Sequence, residues 1–401
     1  MDIERIRGDF PLLNETDLVY LDNACQTLRP RQVIDAIVGY YEGYPACGGR
    51  SVHRLATRVS IAMDASRESI ARLIGSPTPE RLVFTKNCTE GLNMVARGLP
   101  FERGDVVLTT DIEHNSNSVP WLRLQADGRL ERRCVPTSDD GVFDIEALEE
   151  AMTDEVRLIS MVQTSNSTGT SIPVEEVVKV AHDHGALVML DGAQAAPHCP
   201  IDLEALDVDI YSFSMHKMLG PSGVGVLYAK EDVLESMEPL ISGGGAVSDT
   251  SYDHMDMLPP PERFEAGLHD YAGIIGSGAA AEYLMDVGMD NVCAHDAQLN
   301  SYATRRLMEI PSVSIVGPED PALRSSILPF NVAGLNPPDV AMALDDIGGV
   351  LIRSGMHCCH AFFRSRGLRG AARASFYLYN SLEDCDRFAD AVMELVRKLR
   401  L

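Results

Sequence analysis

The chain has 401 residues, 45% of them hydrophobic and 23% charged, which excludes a chain disordered through most of its length. Lys and Arg number 34 against 59 Asp and Glu, a net charge of −25. A surface this acidic repels phosphate backbones and anionic lipid, which argues against nucleic acid and membrane as partners.

The length exceeds one ordinary core and suggests a large domain with a smaller one. No apolar run is long enough to cross a bilayer. The opening MDIERIRGDF is charged where a signal peptide carries an apolar core, so a cytoplasmic protein is expected. Nine cysteines, an odd number with no CxxC spacing, argue against a disulfide framework and a zinc ribbon or finger, and no metal is expected. The adjacent pair Cys358-Cys359 stands out, because neighbouring cysteines seldom bond to each other.

In chain order, Leu82-Val83-Phe84 predicts a strand, followed by the helix-like TEGLNMVARGL. Further strands are expected at Val106–Leu108, Arg157–Val162, Ala186–Leu190, Asp209–Ser214 and Gly225–Tyr228, with a helix over Val174–His184 between two of them. This βαβ rhythm predicts an α/β domain with a mainly parallel sheet, whose ligands sit at the carboxyl ends of strands. Ser242–Pro261, rich in Gly, Ser and Pro, predicts a surface loop. Gly273–Asp286 predicts a small-residue helix. The tail from about residue 289 is expected to be a separate α+β unit ending in an amphipathic helix over Leu382–Leu399.

Only five lysines occur, Lys86, Lys179, Lys217, Lys230 and Lys398. Lys217 follows a strand in Ser214-Met215-His216-Lys217, with the turn Gly220-Pro221-Ser222-Gly223 behind it; alone, it could be a solvated turn residue. Asp191, in DGAQ after the strand ALVML, could likewise be only a turn former. Together, a lysine and a carboxylate at strand ends suit pyridoxal phosphate: the lysine forms a Schiff base, and the carboxylate keeps the pyridine nitrogen protonated so that the ring takes up electrons. Asn87-Cys88-Thr89-Glu90-Gly91 opens a helix whose free amides suit a phosphate, although Thr89 could serve equally as a plain N-cap.

The chain resembles the class V aminotransferase superfamily of pyridoxal-phosphate enzymes, and within it the SufS-like group II cysteine desulfurases and selenocysteine lyases. The resemblance is carried by YLDNA, TEG, EHNSNSVPW, the Ser165-Asn166 pair, DGAQA, SFSMHKMLGPSGVG, RFEAG and IRSGMHCCH, in that order. It implies the type I fold of these enzymes: a large α/β domain over 16–288 and a small α+β domain from 1–15 and 289–401. It implies Lys217 as the Schiff-base lysine, Asp191 at the pyridine nitrogen and Gln194 at the ring hydroxyl. Thr89, Ser214 and His216 match phosphate ligands, and His114 the histidine stacked on the ring. Asn166 matches a substrate contact, Arg373 the clamp on the substrate carboxylate, Arg353 a second active-site arginine and Cys358 the sulfur-accepting nucleophile.

The implied reaction is conversion of L-cysteine to L-alanine with sulfur held on Cys358 as a persulfide, then passed to an acceptor protein for iron–sulfur assembly or another sulfur-transfer pathway. A homodimer is implied, with Tyr271 standing where a threonine of the neighbouring subunit commonly meets the phosphate. The alternatives are a selenocysteine lyase, another class V aminotransferase or lyase that leaves Cys358 unused, and a sulfur-relay or scaffold subunit in which Cys25, Cys47, Cys358 and Cys359 hold sulfur or metal.

Read singly, His114 could be a capping residue, Arg373 the partner of Glu383 or Asp384, and Cys358 an inert buried thiol. Arg353 and His357, close in sequence, are expected to activate Cys358. Cys359 points away from Cys358 on an extended loop and is left as a second-step acceptor. The chain departs from the family pattern at Cys25-Gln26, at Cys47-Gly48-Gly49-Arg50, at His53-Arg54-Leu55-Ala56-Thr57, at Leu268-His269-Asp270-Tyr271 and at Cys359-His360.

Overall fold

The computed structural model describes residues 1–49 and 51–399, so Arg50 of the unusual Cys47–Arg50 segment and residues 400 and 401 of the expected small domain lie outside the described residues. The six expected strands and one that was not expected, Glu131–Val135, form one seven-stranded sheet in the order Leu82–Thr85, Gly225–Ala229, Ile210–Ser214, Leu187–Asp191, Val156–Val162, Val106–Thr110 and Glu131–Val135. Gly225–Ala229 runs antiparallel to both neighbours and every other pairing is parallel. The central strands are buried along nearly their whole length, as a sheet covered on both faces requires. One apolar cluster on the sheet includes Val106, Ile159, Val188 and Phe213; another includes Val107, Leu158, Met189 and Ile210. Those alternating residues fill opposite faces.

A second, four-stranded antiparallel sheet has the order Val313–Ile315, Ile327–Val332, Ala371–Ser375 and Arg353–Gly355. Helices Met289–Met308, Pro337–Gly348 and Leu382–Leu399 contribute to its core. The short strand Val19–Tyr20 pairs in parallel with Val350–Leu351, whereas Phe10 sits in a core cluster of the larger sheet and packs on Tyr283 and Tyr379.

Two stretches differ from the sequence reading. Ser242–Pro261 holds an exposed antiparallel hairpin, Val247–Thr250 with Met255–Met257, whose polar residues hid its alternation. Glu131–Val135 is the edge strand of the large sheet, and its charged residues suit an edge that must not pair further. Among the described residues no helix is long and apolar enough to cross a membrane.

Candidate active site

The carboxyl ends of the parallel strands converge on one cavity of about 240 Å³. Eleven of the residues named from the sequence line it: Thr89, His114, Asn166, Asp191, Gln194, Ser214, His216, Lys217, Arg353, Cys358 and Arg373. Tyr271 lies elsewhere in the chain, buried among Tyr40, Tyr44 and Val59, with its hydroxyl 3.7 Å from Cys47 Sγ. Burial, followed by Cys47, pushes the Tyr271 phenol up to about 12.

Lys217 ends a single 3-10 turn after Ile210–Ser214. The other four lysines each pair with a carboxylate: Lys86 with Glu90, Lys179 with Asp183, Lys230 with Asp207 and Asp209, Lys398 with Glu394. Loss of hydration pushes the Lys217 ammonium below its ordinary range, and Asp191 opposes that push. The Asp191 carboxylate is 3% exposed, and its Oδ1 accepts from Ala193 N at 3.0 Å and from Cys88 Sγ at 3.4 Å.

The helix Cys88–Gly98 opens on the same cavity. Its N-cap is Asn87, whose side chain accepts from Glu90 N at 3.0 Å, so Thr89 is not the cap and its hydroxyl is free to meet Ser116 Oγ at 2.7 Å. Ser214 Oγ accepts from Cys88 N at 2.8 Å, which leaves its own proton to donate. A Cβ at Gly91 would overlap Ser212 Oγ, so the glycine lets the helix seat directly on the sheet. Burial, then Lys217, pushes His216 down to about 4, leaving a neutral ring.

His114 caps the helix Asn115–Ala126 and also lines the cavity. Its Nδ1 accepts from Ser116 N at 3.1 Å, which assigns the proton to Nε2. Burial, then Lys217, pushes His114 down to about 4, so the ring is neutral near pH 7. Beneath it, Glu113 accepts from Thr110 Oγ1 at 2.5 Å, Asn117 Nδ2 at 2.7 Å and Val162 N at 3.1 Å. Burial outweighs those donors and raises Glu113 to about 7.

Arg373, on Ala371–Ser375, is 2% exposed. Its Nη1 donates to Asn166 O at 2.8 Å, its Nη2 lies 3.5 Å from Asp22 Oδ1, and its Nε has no partner. Asp384 pairs with Arg7 at 2.8 Å, which removes it as an alternative partner for Arg373. Arg353 Nη1 donates to Cys25 Sγ at 2.7 Å and lies 3.6 Å from Asp22 Oδ2. Asp22, within YLDNA, thus stands between both arginines, a role its motif does not disclose.

Cys358 is exposed on the cavity rim and Cys359 is fully buried, but the segment is a turn with Cys358 at φ 59° and not the extended loop that was expected, so the turn is what parts the two thiols. Cys359 Sγ donates to Asn166 Oδ1 at 3.0 Å, and burial pushes its thiol up to about 12. That thiol is a packed donor, which corrects the expectation of a second-step acceptor. Asn166 Nδ2 donates to His357 O at 2.7 Å, so the Asn166 amide ties down the Cys358 loop in this chain. His357 does not supply a cation to Cys358: burial and Arg373 push its ring down to about 2. Arg353 is turned to Cys25 instead. Sequence reasoning also missed Ser116, which joins His114 to Thr89, and Cys88, which lies against Asp191. Neither carries a motif signal beyond its neighbours.

A flat anionic group fits this donor set. Gln194 is 2% exposed, its Nε2 donates to Ala24 O at 2.8 Å, and its Oε1 has no partner, leaving a buried acceptor for a ring hydroxyl. A half-buried lysine and a buried carboxylate share the cavity with that acceptor, and hydroxyls stand at a helix N-terminus.

The family model for Aminotransferase class-V matches residues 19–388. The chain belongs to that family. It is 38% identical over 404 residues to a probable cysteine desulfurase of Streptomyces coelicolor, covering 98% of this chain and 96% of that one. It is 38% identical over 412 residues to a cysteine desulfurase of Haloferax volcanii, with coverage of 98% and 96%. A solved apo cysteine desulfurase from Thermococcus onnurineus superimposes with a TM-score of 0.95 at 38% identity, covering 98% of each chain. The cysteine desulfurase CsdA of Escherichia coli, solved with an S-sulfonic acid, gives 0.92 at 33% identity and covers 99% of each. This class V chain therefore has the type I fold of pyridoxal-phosphate enzymes.

Proposed function

We propose that the chain is a pyridoxal-phosphate cysteine desulfurase that converts L-cysteine to L-alanine and takes the sulfur onto Cys358. The observation that carries this is the convergence of a half-buried lysine, a buried carboxylate, a buried arginine with an unpartnered Nε and an exposed cysteine on one cavity, in a family whose compared members are desulfurases. Bound there, the cofactor supplies an electron-withdrawing ring that stabilises negative charge on the substrate's Cα.

Lys217 Nζ would hold the cofactor through its aldehyde and would be the base that takes the Cα proton. Its depressed pKa favours the neutral amine this needs. Asp191 would keep the ring nitrogen protonated, Gln194 Oε1 would accept from the ring hydroxyl, and neutral His114 would lie against the ring. Thr89, Ser214 and His216 would hold the phosphate. Arg373 offers its unpartnered Nε edge to the substrate carboxylate, with Arg353 beside it at the mouth. Asn166 faces the substrate side while it secures the Cys358 loop. Cys358 Sγ then attacks the substrate sulfur: an S–S bond forms, the C–S bond breaks, and the electron pair left on carbon is protonated to give alanine.

The same proposal includes a homodimer in which Tyr271 meets the partner subunit's phosphate, a cytoplasmic location, and an acceptor protein that takes the sulfur for iron–sulfur assembly. It includes the division into 16–288 and 1–15 with 289–401. Borohydride reduction and peptide mapping of the loaded protein test the site: label on Lys217 supports it, and label on Lys86 removes it. Formation of alanine from L-cysteine tests the reaction.

A further inference from the structure

Three cysteines line the catalytic cavity: Cys25, Cys88 and Cys358. Cys88 is committed elsewhere, donating to Asp191 Oδ1 and Ser212 O, and burial holds its thiol far above the ordinary range. Cys25 is half-buried and differently placed. Its Sγ accepts Nη1–H of Arg353 at 2.7 Å, so the guanidinium fixes where the sulfur stands at the cavity mouth. The turn that carries it is fixed on three sides. Cys25 N donates to Asp22 O at 3.1 Å, Ala24 N to Ser375 Oγ at 2.9 Å, and Gln194 Nε2 to Ala24 O at 2.8 Å.

Cys358 is the opposite kind of carrier, an exposed thiol on the cavity rim. It and His357 have φ of 59° and 48°, the left-handed region that non-glycine residues avoid, and Asn115 N donates to Cys358 O at 2.7 Å, so the turn that presents it is held in place. The almost fully buried Arg373, with its unpartnered Nε, lines the same cavity as both thiols, so a ligand that meets this arginine lies in the space they share.

We propose that Cys25 is a second sulfur-carrying residue, which accepts the outer sulfur of the Cys358 persulfide inside the cavity. The proposal rests on the desulfurase reading. The Cys25 thiolate attacks the outer sulfur of Cys358–S–SH, a new S–S bond forms on Cys25, and the S–S bond at Cys358 breaks. Cys358 leaves as a thiolate and takes the proton that Cys25 gave up. One persulfide replaces another, with no net oxidation and no outside reagent. The exchange clears the exposed nucleophile for another turnover while the first sulfur waits on an anchored turn beside Arg353.

The test loads the cofactor-bound protein with L-cysteine without reductant, alkylates it, digests it without reduction and maps the added sulfur by mass spectrometry. The wild type should carry sulfur on both the Cys25 and Cys358 peptides. Cys25→Ser should carry it on Cys358 alone, with bound sulfur per chain reduced by about half. Cys358→Ser should leave Cys25 unloaded. Sulfur on Cys358 but never on Cys25 in the wild type overturns the proposal and leaves the desulfurase reading intact. Loading of Cys25 in Cys358→Ser at the wild-type rate also overturns it, because Cys25 would then take sulfur directly. Absence of sulfur from both, with no alanine formed, overturns the reading beneath it.

Discussion

Arg373→Lys keeps the positive charge and removes the fork. In the wild type the guanidinium donates to Asn166 O at 2.8 Å, approaches Asp22 Oδ1 at 3.5 Å and keeps Nε without a partner for the substrate. One ammonium on a flexible stem cannot meet Asn166 O, Asp22 and a carboxylate in the planar geometry that the guanidinium provides. The loss is at least one charge-assisted hydrogen bond to the substrate, roughly 1.5–3 kcal/mol, or about 10- to 150-fold in affinity. Asp22 keeps a cationic neighbour in Arg353 at 3.6 Å, so the fold survives. Steady-state alanine formation against L-cysteine concentration should show kcat/KM reduced by that factor, mostly through KM, since the lost contact serves ground and transition states alike. An unchanged KM, or a fall in kcat alone, would refute the carboxylate role and leave Arg373 as a brace for the Asn166 loop.

Cys359→Ser should keep sulfur transfer near the wild-type level, because its buried thiol faces Asn166 and not the cavity; peptide mapping that finds sulfur on Cys359 would contradict this. Glu113 is raised from 4.5 to about 7 by burial, so the folded state holds that proton more tightly than the unfolded chain. Its contribution to stability is complete below about 4.5 and is lost as pH rises through about 7. Denaturation at pH 4.5 and pH 8 should show the wild type losing on the order of 3 kcal/mol relative to Glu113→Gln across that window, and equal slopes would remove the assignment. Tyr271→Phe should lower cofactor affinity about tenfold or more if the hydroxyl meets the partner subunit's phosphate. Equilibrium titration that finds no change assigns the residue to packing, and sedimentation of a loaded, active monomer would end the shared-site proposal.

Much of the large sheet was legible because its strands are short, apolar and β-branched between turn signals. Val156–Val162 and Gly225–Ala229 stand within a residue of expectation, and the helix Leu382–Leu399 matches at both ends. The edge strand Glu131–Val135 carried no such signal, since its exposed residues need no apolar pattern. Motif order located the cavity residues, but spacing could not show where each side chain is held. Asn166 looked like a substrate contact, and only the folded loop reveals its bonds to His357 and Cys359. His357 looked like a thiol activator from its place beside Cys358. Burial, which a linear sequence does not display, makes it neutral. Cys25 was visible only as a departure from a pattern, because its partner Arg353 lies more than three hundred residues away.

The central claim is that Cys358 takes sulfur from L-cysteine as alanine forms. The most direct measurement is alanine release from L-cysteine by the wild type and Cys358→Ala side by side, both loaded with cofactor. The wild type should release alanine with sulfur bound to Cys358, and Cys358→Ala should lose nearly all of that turnover while still binding the cofactor on Lys217. Alanine formed by Cys358→Ala at the wild-type rate would contradict the account.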